Sequence, residues 1–322
     1  MREAEPVSEA KNMKSPRDRR QSSSEENRTE ISEILKKVRK IELKTRGLVR
    51  ESFGGEYHSC FKGEGIDFED FREYQPGDEV RAIDWNVTAR MRRPYVKKFT
   101  EEREMTVFLC IDVSASGDYG SRDRSKREMM AEIAALLTFS ALQNKDKVGL
   151  VLFTDEVELY LPPKKGTAHA LRLIREVLHF TPEGHRTSLA GPVHLLKNAV
   201  RKRSLVFLLS DFLFDEDLGN DLRIVNRKHD LVAVQVSDPA ELALPAVGSV
   251  RLEDPETGRQ IEVNTSHPRV RAAYLAEARR WQQSIDRQFK QLSIDKLSIR
   301  SDEEFLPVLH GFFKRRVRRE IA

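Results

Sequence analysis

Short apolar runs rich in β-branched residues alternate with longer helical patterns from about residue 105 to the end of the chain. The clearest runs are residues 106–111, 148–153, 205–209, 231–236 and 296–299. Such alternation is typical of strand–helix–strand units, and near-continuous apolar runs are typical of strands covered on both faces. The sequence therefore predicts an α/β fold over residues 105–322, with an open, mostly parallel sheet and helices on both faces.

The spacing of apolar residues predicts where the helices lie. A one-faced amphipathic helix between the first two strands is indicated by Met130, Ile133, Ala134, Leu137 and Ala141. Further helices are predicted at residues 168–178, 189–200, 217–227, 268–291 and 303–318. An edge strand is predicted at residues 157–161. A hairpin insertion is predicted at residues 249–263, before the long helix, which has Ser266 as its N-cap.

The region before residue 105 divides into three segments. Residues 1–28 lack aromatic side chains and mix acidic with basic ones, which predicts a disordered tail. Residues 29–53 predict an amphipathic helix, whose apolar positions are Ile31, Ile34, Leu35, Val38 and Ile41. Residues 54–104 predict a small strand-and-turn layer that precedes the sheet.

Composition limits the classes of function. The chain has 56 Lys and Arg against 52 Asp and Glu, so its net charge of +4 indicates little about partners. Cys60 and Cys110 form no CxxC pair, which argues against a zinc site or a disulfide framework and favours a reducing cytoplasm. No stretch approaches the roughly 20 apolar residues that a membrane span needs, and no export signal is present. We therefore expect a cytoplasmic protein without membrane insertion.

A DxSxS sequence follows the first predicted sheet strand. Asp112, Ser114 and Ser116 lie where the carboxyl end of that strand meets a loop, the edge at which open α/β sheets bind ligands. Mg²⁺ prefers oxygen ligands, and two hydroxyls spaced two residues apart in an extended loop can face one ion. The motif alone is weak, because Asp and Ser also end strands and cap helices.

Two later residues strengthen the case for an ion site. Thr187 lies in a polar loop before a predicted helix, with Ser188 beside it as an alternative ligand. Asp211 ends the strand predicted at residues 205–209 with a second carboxylate. This order of motifs resembles the von Willebrand factor A (vWA) family and its metal-ion-dependent adhesion site.

The resemblance implies a role for each matching residue. The hydroxyl ligands would come from Ser114, Ser116 and Thr187, and the carboxylates of Asp112 and Asp211 would bind mainly through water. One coordination position would remain for a carboxylate from a partner protein. The implied cofactor is Mg²⁺, with Mn²⁺ as an alternative.

Residues 63–104 make the resemblance more specific. Their sequences GEGIDFEDFREYQPGD (63–78), RAIDW (81–85) and KKFTEERE (97–104) resemble the signature of a bacterial vWA-containing family catalogued as domain of unknown function fifty-eight. Genes of that family often lie beside those of MoxR-type AAA+ ATPases. The resemblance implies a MoxR-type ATPase and a client protein as partners. Many relatives in that family have N-terminal membrane helices, and we expect none in this protein.

The same segment has two physical interpretations. Its aromatic residues favour a layer that packs on the sheet and closes its edge, with Asp84 and Arg72 as internal pairs, because buried aromatics are more often core than interface. The alternative is a docking surface, whose partner-binding residues would be Arg72, Asp84, Trp85, Lys97 and Lys98. Both interpretations hold together if they apply to different faces.

Two other classes of function compete with protein binding. A phosphatase of the haloacid-dehalogenase type needs a second Asp where this chain has Ser114, and no GxxxxGK[ST] phosphate loop occurs. Nucleic-acid binding is the main alternative, through seven Lys and Arg against three acids in residues 81–103. The basic C-terminal tail adds Lys314, Arg315, Arg316, Arg318 and Arg319. No nucleic-acid-binding motif accompanies these charges, so we favour a non-enzymatic protein-binding module.

Overall fold

The computed structural model describes residues 67–100, 104–122, 124–214, 216, 219–254 and 258–321. Nearer the N-terminus it describes residues 36, 38–43, 45–49, 57 and 60. The predicted disordered tail over residues 1–28 lies outside the described residues.

A six-stranded sheet organises the chain after residue 105. Its strands are β3 (Thr106–Asp112), β4 (Lys147–Phe153), β5 (Val157–Lys164), β6 (Leu205–Ser210), β7 (Asp230–Ser237) and β10 (Asp295–Arg300). Their order across the sheet is β10-β7-β6-β3-β4-β5, and all neighbours are parallel except the antiparallel pair β4 and β5. The predicted fold class is thereby confirmed.

The edge strand β5 is longer than the sequence predicts. It continues through Pro162 and Pro163, although the prediction ended it before them. Proline lacks an N–H donor and is therefore tolerated on an edge strand, where one side of the backbone has no partner strand.

Helices cover both faces of the sheet. Their ranges are α2 (Lys126–Gln143), α3 (Thr167–His179), α4 (Ala190–Asn198), α5 (Gly219–Lys228), α6 (Pro239–Leu242), α7 (Pro268–Gln291) and α8 (Phe305–Ile321). Side chains of α2, α3 and α8 form one apolar cluster with the sheet, and side chains of α4, α5 and α7 form the other. Alternate strand residues such as Leu109 and Cys110 belong to opposite clusters, as the two-residue repeat of a strand requires.

Helix α2 is buried on almost all sides, which corrects the prediction of a one-faced amphipathic helix. Met129, Leu136 and Phe139 are buried in addition to the predicted face. The described residues between 36 and 49 are helical, and their buried side chains Val38 and Ile41 belong to the same apolar cluster as α2. Arg46 lies 5.4 Å from the centre of the Phe139 ring. The N-terminal helical segment therefore covers the face of α2 that a one-sided pattern would leave to solvent.

A hairpin of β8 (Ser249–Glu253) and β9 (Gln260–Asn264) precedes α7. Helix α7 begins at Pro268, as predicted, but its N-cap is His267 and no side chain caps it. Ser266 was therefore the wrong N-cap. Its backbone N–H donates to Asn264 Oδ1 at 3.0 Å, so it belongs to the turn that leaves the hairpin.

Before the large sheet, β1 (Asp67–Glu73) and β2 (Tyr95–Thr100) pair antiparallel in a separate two-stranded sheet. The short helix α1 (Trp85–Met91) lies between them in sequence. We call residues 67–100 the N-terminal module. Cys60 and Cys110 are both buried, and they are not joined in a disulfide.

Candidate metal centre

Asp112 is the last residue of β3, at the carboxyl edge of the sheet. The following loop folds back on it, since the Ser114 backbone N–H donates to Asp112 Oδ1 at 2.9 Å. Ser116 lies in the short 3-10 helix Ala115–Asp118. The serines of the DxSxS sequence are therefore held beside the carboxylate.

The three hydroxyls that were predicted to bind an ion lie next to one another. Thr187 Oγ1 donates to Ser114 Oγ at 2.9 Å, and Ser114 Oγ lies 3.2 Å from Ser116 Oγ. Ser116 Oγ in turn donates to Asp211 Oδ2 at 2.7 Å. One hydrogen-bonded chain therefore runs from the Thr187 loop through both serines to the second carboxylate.

The sequence alone left open whether Thr187 or Ser188 belongs to the centre. In the structure Thr187 makes the contact with Ser114, whereas Ser188 Oγ accepts from the Ala190 N–H at the start of α4. Ser188 therefore belongs to the turn before α4, and Thr187 is the residue whose hydroxyl contacts the centre.

Ser210 ends strand β6, and Asp211 follows it directly. Ser210 was not among the site residues predicted from the sequence. Ser210 Oγ donates to Asp112 Oδ2 at 2.7 Å and accepts from the Phe212 N–H at 2.9 Å. The Asp211 carbonyl accepts from Gln235 Nε2 on β7 at 3.1 Å. A strand-end Ser beside a strand-end Asp is the signal that could have found Ser210.

A partly buried acceptor on β5, Glu158, fixes the loop that carries Thr187. Glu158 Oε1 accepts from Thr154 Oγ1 at 2.7 Å and from the Gly184 N–H at 2.8 Å. The Ser188 N–H donates to the Thr154 carbonyl at 2.9 Å. The position of Thr187 is therefore set by side-chain and backbone contacts from the β4–β5 turn.

Lys126, the first residue of α2, is the most buried charged residue at the centre. Its side chain is 1% exposed, and its ammonium donates to Asp211 Oδ2 at 2.6 Å and to Glu241 Oε1 on α6. Burial lowers the pKa of Lys126, but the attraction of Asp211 and Glu241 outweighs it and raises that pKa above its ordinary value. Neither Lys126 nor Glu241 was predicted from the sequence.

Burial raises the pKa of Asp112 to about 6, and the charge of nearby Asp211 acts in the same direction. Hydrogen bonds from Ser114 and Ser210 act in the opposite direction but are outweighed. A buried carboxylate whose ionised form is disfavoured by burial and by a second nearby carboxylate is an electrostatic setting that favours a bound cation.

The side chains present fit a hard divalent cation. Mg²⁺ takes oxygen ligands only, and the centre offers three adjacent hydroxyls and two carboxylates. Among the described residues, no group of three or more His, Cys, Asp or Glu side chains is placed to hold a metal ion. That result fits this donor set, in which hydroxyls outnumber carboxylates and neither histidine nor cysteine takes part.

An apolar cleft of about 280 Å³ adjoins Asp211. Its lining includes the side chains of Leu213, Leu242, Tyr274 and Trp281, and Glu241 lies at the same cleft. Leu213, two residues after Asp211, is 44% exposed. The candidate centre therefore borders a surface that can receive an apolar side chain.

The N-terminal module differs from the interpretation that we favoured. Arg72 forms a two-pronged pair with Asp78, with both N–O distances 2.7 Å, instead of pairing internally with Asp84. That pair lowers the pKa of Asp78 to about 2. Asp84 caps α1 by accepting from the Asn86 and Val87 N–H groups. Trp85 is 67% exposed, so it is not a core aromatic.

The remaining residues of the predicted docking surface lie on β2. Lys97 pairs across the hairpin with Phe71, and Lys98 pairs with Asp70. Arg72, Asp84 and Trp85 take no part in the described contacts of the hydrogen-bond chain at the candidate centre. Docking through the module stays a prediction.

Part of the basic C-terminal tail is paired within the chain. Arg316 contacts Asp230 and lies 3.2 Å from Asp295, and Arg319 lies 2.7 Å from Asp295. These contacts join α8 to the amino ends of β7 and β10 and reduce the charge available to a nucleic acid.

The family comparison agrees with the signature in residues 63–104. The model of the family described as protein of unknown function DUF58 matches residues 70–284, and the chain belongs to this family. An uncharacterized protein of Mycobacterium tuberculosis, Rv1480, is 29% identical over 287 residues, which cover 88% of this chain and 90% of that protein. YeaD of Bacillus subtilis is 28% identical over 106 residues, which cover 33% of this chain and 24% of YeaD.

Solved structures with a similar fold include an aerotolerance-related membrane protein from Bacteroides fragilis, at 14% identity and a TM-score of 0.44. That alignment covers 67% of this chain and 99% of the other. The SpRpn10 VWA domain aligns at 12% identity and a TM-score of 0.34, covering 66% of this chain and 95% of the other. Within the part of the chain that the structure describes, none of the helices has the length and apolar character to cross a bilayer.

Proposed function

We propose that the chain is a non-enzymatic protein-binding module that binds a partner carboxylate through a divalent cation at the carboxyl edge of its sheet. The observation that carries this proposal is the chain of contacts from Thr187 through Ser114 and Ser116 to Asp211. It assembles oxygen donors from three separate loops at the edge where open α/β sheets bind ligands.

Each residue has a distinct part in this proposal. The hydroxyls of Ser114, Ser116 and Thr187 act as neutral ligands, and Asp112 and Asp211 hold the ion mainly through water. When bound, Mg²⁺ or Mn²⁺ supplies positive charge that neutral hydroxyls do not cancel, and this charge attracts a carboxylate from outside. Ser210 and Gln235 keep the two aspartates in position.

The cleft beside Asp211 supports a protein as the partner. A carboxylate on the ion and an apolar side chain against Tyr274 and Trp281 would give one binding segment both a charged and an apolar anchor. Small inorganic anions would use only the first of these anchors.

Membership of the family supports a more specific partner. Because genes of this family often lie beside those of MoxR-type AAA+ ATPases, we propose such an ATPase as the partner and a client complex as the object of their joint action. In this role the chain is an adaptor in the cytoplasm, and the ATPase supplies the chemical energy.

The test measures binding of the purified chain to the MoxR-type ATPase encoded in the same genome, by calorimetry in 5 to 10 mM MgCl₂ or in EDTA. We expect binding in Mg²⁺, and we expect its loss in EDTA and in the variants Ser114→Ala and Thr187→Ala. Ser188→Ala is the matched control, because it removes a neighbouring hydroxyl that the centre does not use. Equal affinity of all four proteins in both buffers would refute ion-dependent binding.

A further inference from the structure

Lys126 holds a positive charge in direct contact with Asp211, a residue to which the proposed function assigns ion binding. Its ammonium and the Ser116 hydroxyl both donate to the same oxygen, Asp211 Oδ2, at 2.6 and 2.7 Å. The side chain is 1% exposed, so water does not screen this contact. Any use of that oxygen in ion binding must therefore compete with a buried ammonium.

The second partner of Lys126 belongs to another element. Glu241 lies on α6, a short helix fixed at its start by Asp238. Asp238 accepts from Ser121 at both the backbone N–H and the hydroxyl, and from the Ser301 hydroxyl at 3.0 Å. Glu241 is thus anchored independently of the candidate centre, and it can keep the ammonium when Asp211 turns to an ion.

A buried carboxylate without a counter-charge is unfavourable. Asp211 is 5% exposed and lies at the same edge of the sheet as the buried carboxylate of Asp112, so the two acidic side chains share one buried region. Lys126 Nζ lies 2.6 Å from Asp211 Oδ2, so its positive charge is a counter-charge for this buried region without a metal ion. The same charge repels a divalent cation brought to the centre.

We infer that Lys126 is an internal counter-ion that keeps the centre folded without metal and weakens its affinity for divalent cations, so that a partner carboxylate is needed for tight ion binding. Added negative charge from the partner offsets the repulsion from the ammonium, and the ion and the partner therefore strengthen each other's binding. This inference rests on the proposed function for the partner, but its effect on ion affinity is independent of any partner.

Two variants should shift ion affinity in opposite directions. Lys126→Met keeps the apolar stem and removes the charge, so we expect it to bind Mg²⁺ and Mn²⁺ roughly tenfold more tightly than the unmodified chain. Glu241→Gln leaves the ammonium to Asp211 alone, so we expect severalfold weaker binding. Lys126→Arg keeps the charge and should remain within a fewfold of the unmodified chain.

The experiment is a titration of each purified protein with MgCl₂ and with MnCl₂ alone, followed by calorimetry and by the thermal midpoint. In EDTA we expect the thermal midpoint of Lys126→Met to lie below that of the unmodified chain. Added Mg²⁺ should raise the midpoint of the variant by more than it raises that of the unmodified chain. If Lys126→Met does not fold in EDTA, refolding it in MgCl₂ gives the same comparison. Glu241→Gln then tests the inference separately, because its ion affinity is expected to fall.

Unchanged or weaker ion binding by Lys126→Met, or tighter binding by Glu241→Gln, would overturn the inference. Failure of the unmodified chain and of Lys126→Met alike to bind either ion would overturn it too. If the ion affinities shift as expected but EDTA has no effect on ATPase binding, the counter-ion role of Lys126 is supported and the proposed function is refuted.

Discussion

The carboxyl edge of the large sheet buries polar side chains, whereas the N-terminal module exposes apolar ones. At the edge, the exposed fractions of Asp112, Ser114 and Asp211 are 2%, 0% and 5%. In the module, Val80 and Trp85 are 61% and 67% exposed. Polar side chains are usually exposed and large apolar ones usually buried, so the exposure of both groups is the reverse of the usual one. Such exceptions are more informative about function than ordinary burial.

The two reversals have different physical requirements. Buried hydroxyls and carboxylates must be hydrogen bonded, and those of the candidate centre bond to one another, to Ser210 and to Lys126. The centre is therefore organised before any ligand arrives. Exposed apolar side chains contribute little to the stability of the fold, so a partner can cover them without disturbing it. The comparison predicts that changes at the edge alter folding and ion binding together, and that changes in the module alter neither.

The largest effect on stability should come from Gly184→Ala. A Cβ at Gly184 would meet Thr154 Oγ1 and Asp155 Oδ1 closer than real Cβ atoms approach, and Thr154 Cβ at 3.0 Å. Thr154 is fully buried and donates to Glu158, so moving it aside would break a hydrogen bond and disturb its packing. We expect the free energy of unfolding to fall by about 1–3 kcal/mol and Mg²⁺ affinity to fall with it, because the Thr187 loop must shift.

Urea denaturation and Mg²⁺ titration of Gly184→Ala measure both effects. Gly47→Ala is the control, since a Cβ there meets nothing within 4 Å and Gly47 lies in the N-terminal helical segment. That control should be neutral or stabilising by up to about 1 kcal/mol. If Gly184→Ala matches the unmodified chain in both unfolding free energy and Mg²⁺ affinity, the loop is not held by the contacts described.

A smaller effect is expected from a buried carboxylate outside the centre. Asp146 is 3% exposed, and its Oδ1 accepts from the Met105 N–H at 2.8 Å. Burial raises its pKa to about 6, against hydrogen bonds from Met105 and Tyr57 that lower it. Because the folded-state pKa is above the unfolded one, its contribution to stability is full below about pH 4 and is lost as pH rises through about 6.

Asp146→Asn keeps the acceptor for Met105 and removes this titration. We expect the unfolding free energy of the unmodified chain to fall by about 1 kcal/mol more than that of the variant between pH 4 and pH 7. Asp112 titrates in both proteins, so the difference between their curves isolates Asp146. Parallel curves from urea denaturation at pH 4, 5, 6 and 7 would contradict the prediction.

Sequence patterns located the sheet well because its strands are buried on both faces. Apolar runs predicted β3 and β6 to within a residue, and their carboxyl ends necessarily place Asp112 and Asp211 near each other. Thr187 and Ser188 could not be separated in sequence, because both are hydroxyl residues before a helix. Only the fold decides which hydroxyl accepts from the Ala190 N–H and which contacts Ser114.

Residues that act over long sequence separations left no local signal. Lys126 stands in the polar sequence Ser125-Lys126-Arg127-Glu128, which is indistinguishable from an exposed helix start. Its partner Glu241 is 115 positions away. The burial of Phe139 was missed for the same reason, since it depends on Arg46 and the helical segment before residue 50. A local sequence pattern indicates only the environment that each residue type prefers. The actual environment of these residues is set by elements that are distant in the sequence.

The smallest change in stability should come from Trp85→Ala, which tests the module side of the comparison. With 67% of Trp85 exposed at the start of α1, its removal should change the unfolding free energy by less than about 0.5 kcal/mol and leave Mg²⁺ affinity unchanged. We expect binding to the MoxR-type ATPase to weaken about fivefold or more, because an exposed Trp that contributes nothing to the fold is typical of an interface anchor. Calorimetry in MgCl₂ measures this, with Met91→Ala on the same helix as a control for general loss of apolar surface. A loss of stability above about 1 kcal/mol with unchanged ATPase binding would instead make Trp85 part of a packing layer, and the difference between the two regions would then be one of degree.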